Sequence, residues 1–207
     1  MRRYILTIIL ICAGMASANA QTASEVVDRF FAKLSQETLT GSYSATLSNE
    51  QGQPAGTYTG FLEMRGEVFH ARILDTEIAY DGTTLSTYDE DMNELTLTYP
   101  TPEELQEGNP LLYAKAMAEW CTPMFAPEQP QGMYFLLLLP KIQGSEIVNI
   151  SIILHKSDLL PETIIMKQVT GTTTVRLQQQ RWSQQPPVTT IPTETEGKEK
   201  PFVNDLR

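Results

Sequence analysis

Apolar and polar residues alternate with a period of two through most of this chain. This alternation constrains its fold more than any other feature. Each alternating run ends at Gly, Asn, Asp or Pro, which favours short turns between strands. The pattern therefore predicts antiparallel strands in a sheet with two unlike faces. The runs cover residues 42–48, 56–65, 67–75, 77–82, 83–89, 93–99, 132–141, 146–156, 161–169 and 173–182.

Two segments follow a helical period instead. Residues 24–37 place apolar side chains at helical spacing, and Ser24 stands where it could cap the first turn. Residues 101–120 begin with Pro102 and two glutamates and are interrupted at 108–110, which predicts two short helices, followed by an irregular segment to Pro130. Helices at these places indicate an α+β fold, with an antiparallel sheet and helices against one side only.

The first twenty residues have the layout of a cleavable secretory signal. A basic start at Arg2 and Arg3 precedes a short apolar core and a small-residue end at Ala18-Asn19-Ala20, so cleavage is expected before Gln21. We expect residues 21–207 to form a single domain exported to the periplasm, with a Pro- and Thr-rich mobile segment at 183–200.

Composition excludes several classes of function. The formal net charge is −10, which disfavours binding to nucleic acid. His70 and His155, the only histidines, alternate with apolar neighbours in strands, so we interpret them as strand residues and expect neither a metal site nor a cofactor. The acidic run 88–94 is interpreted as a hairpin turn rather than a calcium loop. These observations predict a protein that is not an enzyme.

Large apolar side chains on the strands remain to be explained. Even-numbered positions from Tyr58 to Met64 share one face of a strand, and Phe69, Ala71 and Ile73 share one face of the next. In the following hairpin we expect Leu85, Leu95, Leu97 and Tyr99 to share a face. Helices could cover this surface as an ordinary core, or they could cover it incompletely and leave an apolar cavity.

Several pieces of the chain, in this order, resemble LolA-type periplasmic lipoprotein carriers, especially the LolA-like proteins of the Bacteroidetes. They are the helix at 24–37, "GFLEMRGEVFHAR" at 60–72, "YDGTTLSTYDEDMNELTLTYP" at 80–100, "TPEELQEGNPLL" at 101–112 and "FVNDLR" at 202–207.

The resemblance implies an unclosed antiparallel half-barrel whose concave apolar face is covered by a lid of short helices, with lipoprotein acyl chains held between them. It implies that the cavity is lined by Phe30, Leu62, Met64, Phe69, Ile73, Leu85, Leu95, Leu97, Leu112 and Met117.

Further expectations follow from the same resemblance. Carriers of this type use an arginine beside the lid to hold the empty form shut, and Arg65 is the candidate for that latch here, one position away from the family's place at Gly66. The implied partners are acylated lipoproteins, an inner-membrane lipoprotein-releasing ABC transporter and an outer-membrane acceptor, with the carrier acting as a monomer.

Three other functions remain open on the sequence alone. The same half-barrel could serve a periplasmic lipid-sensing or envelope-stress regulatory module. A hydrolase could use Asp and Glu residues in the cavity, although most acids lie in predicted turns. A structural envelope protein would have a solid core in place of a cavity.

Overall fold

A computed structural model describes residues 21–191 and 200–207. The predicted signal at 1–20 lies outside the described residues, as do positions 192–199 of the Pro- and Thr-rich segment.

In the described part of the chain, twelve strands form one open sheet, in the order β12-β6-β5-β4-β3-β2-β1-β11-β10-β9-β8-β7. The predicted antiparallel sheet with helices is confirmed: eleven strands pair antiparallel with their neighbours, and β7 and β12 form the two edges. The strands are β1 (Thr38–Asn49), β2 (Pro54–Arg65), β3 (Val68–Ile73), β4 (Thr76–Tyr80), β5 (Leu85–Asp89), β6 (Glu94–Thr98), β7 (Cys121–Phe125), β8 (Met133–Pro140), β9 (Ile147–His155), β10 (Pro161–Gln168), β11 (Gly171–Ser183) and β12 (Phe202–Asp205).

The last strand pairs differently from the rest. β12 lies parallel to β6, with Phe202 opposite Glu94 and Asp205 opposite Leu97. A parallel pair needs a long connection rather than a tight turn, and the residues between β11 and β12 supply it. β12 thereby covers the edge of β6, which would otherwise expose unpaired backbone groups.

The N-terminal helix, α1 (Ala23–Gln36), begins two residues earlier than it would with Ser24 as its cap. Thr22 is the N-cap: its hydroxyl accepts a hydrogen bond from the Glu25 backbone, and the Glu25 carboxylate accepts one from the Thr22 backbone. This reciprocal capping box satisfies two amides that a helix start leaves without partners, so Thr22 takes the place predicted for Ser24.

The apolar stripe of α1 packs on one face of the sheet, against β1, β2 and β7. Val26, Phe30 and Leu34 are almost completely buried there. At its C-terminal end, the amide of Gly66 in the β2–β3 turn donates a 2.7 Å hydrogen bond to the Leu34 carbonyl. We call the face covered by the helices the inner face and the other the outer face.

The predicted pair of short helices is present as α2 (Pro102–Gly108) and α3 (Pro110–Ala118). Thr101 caps α2 through a second capping box with Glu104, and Asn109 caps α3. The two helices contact each other, and α3 also contacts β7. Leu111 and Ala114 of α3 belong to the buried core.

Strand register corrects one expectation about the inner face. In an antiparallel pair, residues directly opposite each other share a face. Leu85 stands opposite Thr98, whereas Leu97 stands opposite Ser86 and Leu95 opposite Tyr88. Leu95 and Leu97 therefore lie on the outer face, so the expectation that they share a wall with Leu85 is wrong. One position of register reverses the face of a whole strand, which explains the error.

Candidate functional site: an apolar cavity beneath a short helix

An apolar cavity of about 280 Å³ lies between the inner face of the sheet and the start of α3. Five strands, β1, β2, β3, β10 and β11, form its floor and walls, and residues 109–111 form its roof. Its lining consists of Tyr43, Ala45, Leu47, Tyr58, Leu62, Phe69, Ala71, Ile73, Asn109, Pro110, Leu111, Ile164, Met166, Thr173, Val175 and Leu177.

Burial changes along the inner face from one end of the strands to the other. Near the C-terminal end of α1, Leu39 and Met64 are fully buried and pair with each other across β1 and β2. Towards the far end of the same two strands, Leu47 is 37% exposed and Tyr58 is 39% exposed. The helices thus seal one end of the inner face and leave the other end accessible to solvent.

Asn109 is the polar residue at the roof. It is only 2% exposed, and its side-chain oxygen accepts hydrogen bonds from the amides of Leu111 and Leu112, at 3.0 and 3.3 Å. Its side-chain nitrogen lies 3.6 Å from the Met64 sulfur on the inner face. Asn109 therefore caps α3 and connects the helix to the sheet.

The floor contains a tyrosine packed over a glycine. Tyr43 stands opposite Gly60 on the neighbouring strand, and its ring occupies the space that a side chain at residue 60 would fill. Burial raises the pKa of Tyr43 to about 12. The neutral phenol is therefore the form that the cavity retains at physiological pH.

The ten residues predicted to hold acyl chains are distributed over several environments. Leu62, Phe69 and Ile73 line the cavity. Phe30 and Met64 are fully buried in the adjoining core, and Leu85 and Met117 pack against that core while half-buried. Leu112 is buried beside a second cleft between α2, α3 and the β2–β3 turn. Leu95 and Leu97 lie on the outer face, so acyl contact remains a prediction for the inner-face residues alone.

Several lining residues were missed from the sequence. Ile164, Met166, Val175 and Leu177 come from β10 and β11, which predicted strands already covered. Their alternation was visible, and the pairing of β11 with β1 is what brings them into the same cavity as the residues of β2 and β3. That long-range pairing could not be derived from local pattern.

Arg65, the predicted latch, makes its hydrogen bonds elsewhere. Its guanidinium donates to the Thr38 hydroxyl at 3.1 Å and to the carbonyls of Gln184 and Gln185 at 2.5 and 3.0 Å. The neighbouring Glu63 accepts a hydrogen bond from the Val188 amide. Arg65 and Glu63 thus fasten the segment after β11 to β2, on the outer side, and the described contacts of Arg65 do not include α2 or α3.

The histidine and carboxylate side chains of the described residues do not line the cavity. His70 contacts Glu77 at 2.6 Å on the outer face, and His155 lies 3.6 Å from Glu162. Within residues 21–191 and 200–207, no group of three or more His, Cys, Asp or Glu side chains could hold a metal ion. In the same ranges, no helix is long and apolar enough to cross a membrane.

Comparison with known proteins locates similarity in the fold. No protein family model matches the sequence, and no curated protein matches it significantly. An uncharacterized conserved protein from Thermus thermophilus is 11% identical with a TM-score of 0.50, over 89% of this chain and 99% of that one. Pseudomonas aeruginosa MucB, in complex with MucA, is 13% identical with a TM-score of 0.45, over 80% of this chain and 58% of that one.

A third solved structure is a LolA superfamily protein from Nitrosomonas europaea, 10% identical with a TM-score of 0.38, over 78% of this chain and 94% of that one. Identities this low bear on the fold alone.

Proposed function

We propose that this protein is a periplasmic carrier that binds the acyl chains of lipoproteins in its apolar cavity and escorts them from the inner to the outer membrane. The observation that carries the proposal is the cavity itself, which is mostly apolar on its strand walls, open at one end and roofed by a short helix. The residues that resemble LolA-type carriers support the same function. In this proposal the protein performs no covalent chemistry.

Energetics favour a site that holds its cargo incompletely. Burying one acyl chain of about 16 carbons contributes roughly 12 kcal/mol at about 0.8 kcal/mol per methylene. A carrier that buried two or three chains fully would release them too slowly to deliver its cargo. Partial exposure near Leu47 and Tyr58, together with the cost of moving a helix, reduces the net affinity to a transferable range.

The size of the cavity requires that its roof move. A volume of about 280 Å³ lies just below the range of roughly 300–1,000 Å³ typical of small-molecule sites. Two or three acyl chains need more room, and α3 is the element best able to provide it. Its 9 residues are too few for a helix that is stable without tertiary contacts.

Photo-crosslinking in living cells tests this function. A photoreactive amino acid at Leu62 reports on the cavity, and the same amino acid at Leu97 is the matched control because it replaces a half-buried leucine on the outer face. We expect irradiation to join acylated lipoproteins to position 62 and not to position 97. Equal crosslinking at both positions would refute the cavity as the cargo site.

A second experiment separates a carrier from a lipid-sensing module, because both would bind acyl chains. The purified complex is mixed with outer-membrane vesicles, and the lipoprotein left in the soluble fraction is measured. A carrier transfers its cargo to the vesicles, so the soluble lipoprotein declines. Full retention of the cargo by the protein would favour the sensing function.

A further inference from the structure

We propose that the side-chain amide of Asn109 recognises the acyl carbonyl of the bound lipid, and that this contact replaces the one that joins α3 to Met64. The inference rests on the proposed function and adds the polar group by which the cavity would select its ligand.

Asn109 occupies an unusual position for an amide. It is almost fully buried, and it lines a cavity whose walls are otherwise mostly apolar carbon. A buried amide needs hydrogen-bond partners, because leaving its donors unsatisfied costs free energy. Its oxygen is satisfied by the two backbone amides at the start of α3.

The nitrogen of the same amide is much less well satisfied. Its contact is the thioether sulfur of Met64, 3.6 Å away, and a thioether is a weak acceptor. Among the described residues, no other hydrogen bond uses this nitrogen. One N–H of the side-chain amide therefore has a weak partner, and the other N–H can donate a hydrogen bond to a ligand.

A carbonyl oxygen is a stronger acceptor than a thioether sulfur. An acyl chain in the cavity carries one carbonyl at its head, in an ester or an amide linkage. If that oxygen accepts from Asn109, the hydrocarbon tail extends along Leu62 and Ile73. The amide then exchanges Met64 for the ligand, and α3 loses one of its attachments to the sheet when cargo binds.

The chemistry also favours a neutral carbonyl over a carboxylate. A free fatty acid would bring a negative charge into an apolar cavity, and in the described part of the chain no cationic side chain lines that cavity to compensate. The ligand class is therefore an esterified or amidated acyl chain.

The test compares two lysophosphocholines that differ only at the carbonyl. One carries a 16-carbon chain through an ester and the other carries it through an ether, which lacks the carbonyl oxygen. Affinities are measured by displacement of a fluorescent apolar dye from the purified protein. We expect wild type to bind the ester about fivefold more tightly, a difference of about 1 kcal/mol.

Two variants assign that preference to Asn109. Asn109→Ser keeps a residue that caps helices well but is too short to reach the ligand. The ratio of its affinity for the ester lipid to its affinity for the ether lipid should therefore fall to about one. Met64→Leu removes the competing sulfur at similar volume, so the ratio should stay the same or increase. Wild type that binds both lipids equally, or Asn109→Ser that keeps the preference, would overturn the inference while the cavity function stands.

Two further outcomes are decisive. Palmitate binding more tightly than the ester would contradict the neutral-carbonyl assignment. Failure of wild type to bind either lysolipid would instead contradict the proposed function on which the inference rests.

Discussion

The ring of Tyr43 lies across Gly60 on the adjacent strand, so closely that a β-carbon at residue 60 would stand 2.6 Å from the Tyr43 hydroxyl oxygen. The same β-carbon would also collide with the backbone carbonyl of Arg72 on β3. A side chain at residue 60 would thus collide with two neighbours, and the Tyr43 ring fills the gap that the glycine leaves in the cavity floor.

Gly60→Ala should destabilise the protein by about 1–3 kcal/mol, the usual cost of overpacking. The Arg72 carbonyl belongs to the backbone and cannot rotate away. Urea unfolding measures the effect. Gly56→Ala is the control, because its new β-carbon would meet the movable end of the Tyr58 side chain at 3.1 Å. Equal losses in both variants would contradict the close packing at Gly60.

The phenol of Tyr43 should make stability depend on pH in the alkaline range. Its pKa rises to about 12 in the folded protein, from the ordinary value of about 10 that holds in the unfolded chain. The contribution of the neutral Tyr43 phenol to the free energy of unfolding is therefore intact below pH 10, and it is lost as the pH rises from about 10 to about 12. Tyr43→Phe should lose the latest step of the tyrosinate absorbance titration. An unchanged titration would place Tyr43 in water.

Charges placed on the two faces should affect lipid binding differently. Leu62→Glu introduces a carboxylate into the cavity wall and should lower affinity for the ester lysophosphocholine at least tenfold. Leu97→Glu places the same charge on the outer face and should change affinity less than twofold. Similar losses in both variants would show that the face assignment from strand register is wrong.

Fastening α3 to the sheet should block loading. The Lys115 ammonium lies 3.4 Å from the Glu67 carboxylate in the β2–β3 turn, a geometry that a zero-length carbodiimide can convert to an amide. The crosslinked protein should keep its fold and lose lipid uptake, because α3 can no longer move. Glu67→Gln, treated in the same way, serves as the control that retains uptake. Full uptake by protein crosslinked between these residues would contradict a moving roof.

Much of the fold could be predicted from local pattern, because strands and amphipathic helices leave periodic signatures. Most of the sheet, the first helix and the two short helices followed from local pattern. The prediction of an irregular segment before Pro130 was wrong, because Cys121–Phe125 forms the edge strand β7 by pairing with β8. The face of the β5–β6 hairpin did not follow from local pattern either. Its alternation shows two unlike faces, but only the pairing of Asp89 with Glu94 shows that Leu95 and Leu97 lie on the face opposite to that of Leu85.

The site was less predictable than the fold, since its residues meet through long-range pairing. Leu62, Phe69 and Ile73 followed from one local hairpin, whereas the β10 and β11 residues reach the cavity only through the pairing of β11 with β1. Asn109 stood in the sequence as a break between helices. Its role as a buried cap beside Met64 depends on how α3 docks, which no local pattern encodes.

Mass spectrometry of the native protein purified from the cells that produce it tests the central claim most directly. Wild type should carry acylated lipoprotein, or lipid bearing ester-linked or amide-linked acyl chains, and Leu62→Glu purified in parallel should carry much less. Wild type that is free of acyl-bearing molecules, or that carries the same amount as Leu62→Glu, would contradict the account of this cavity as a site for acyl chains.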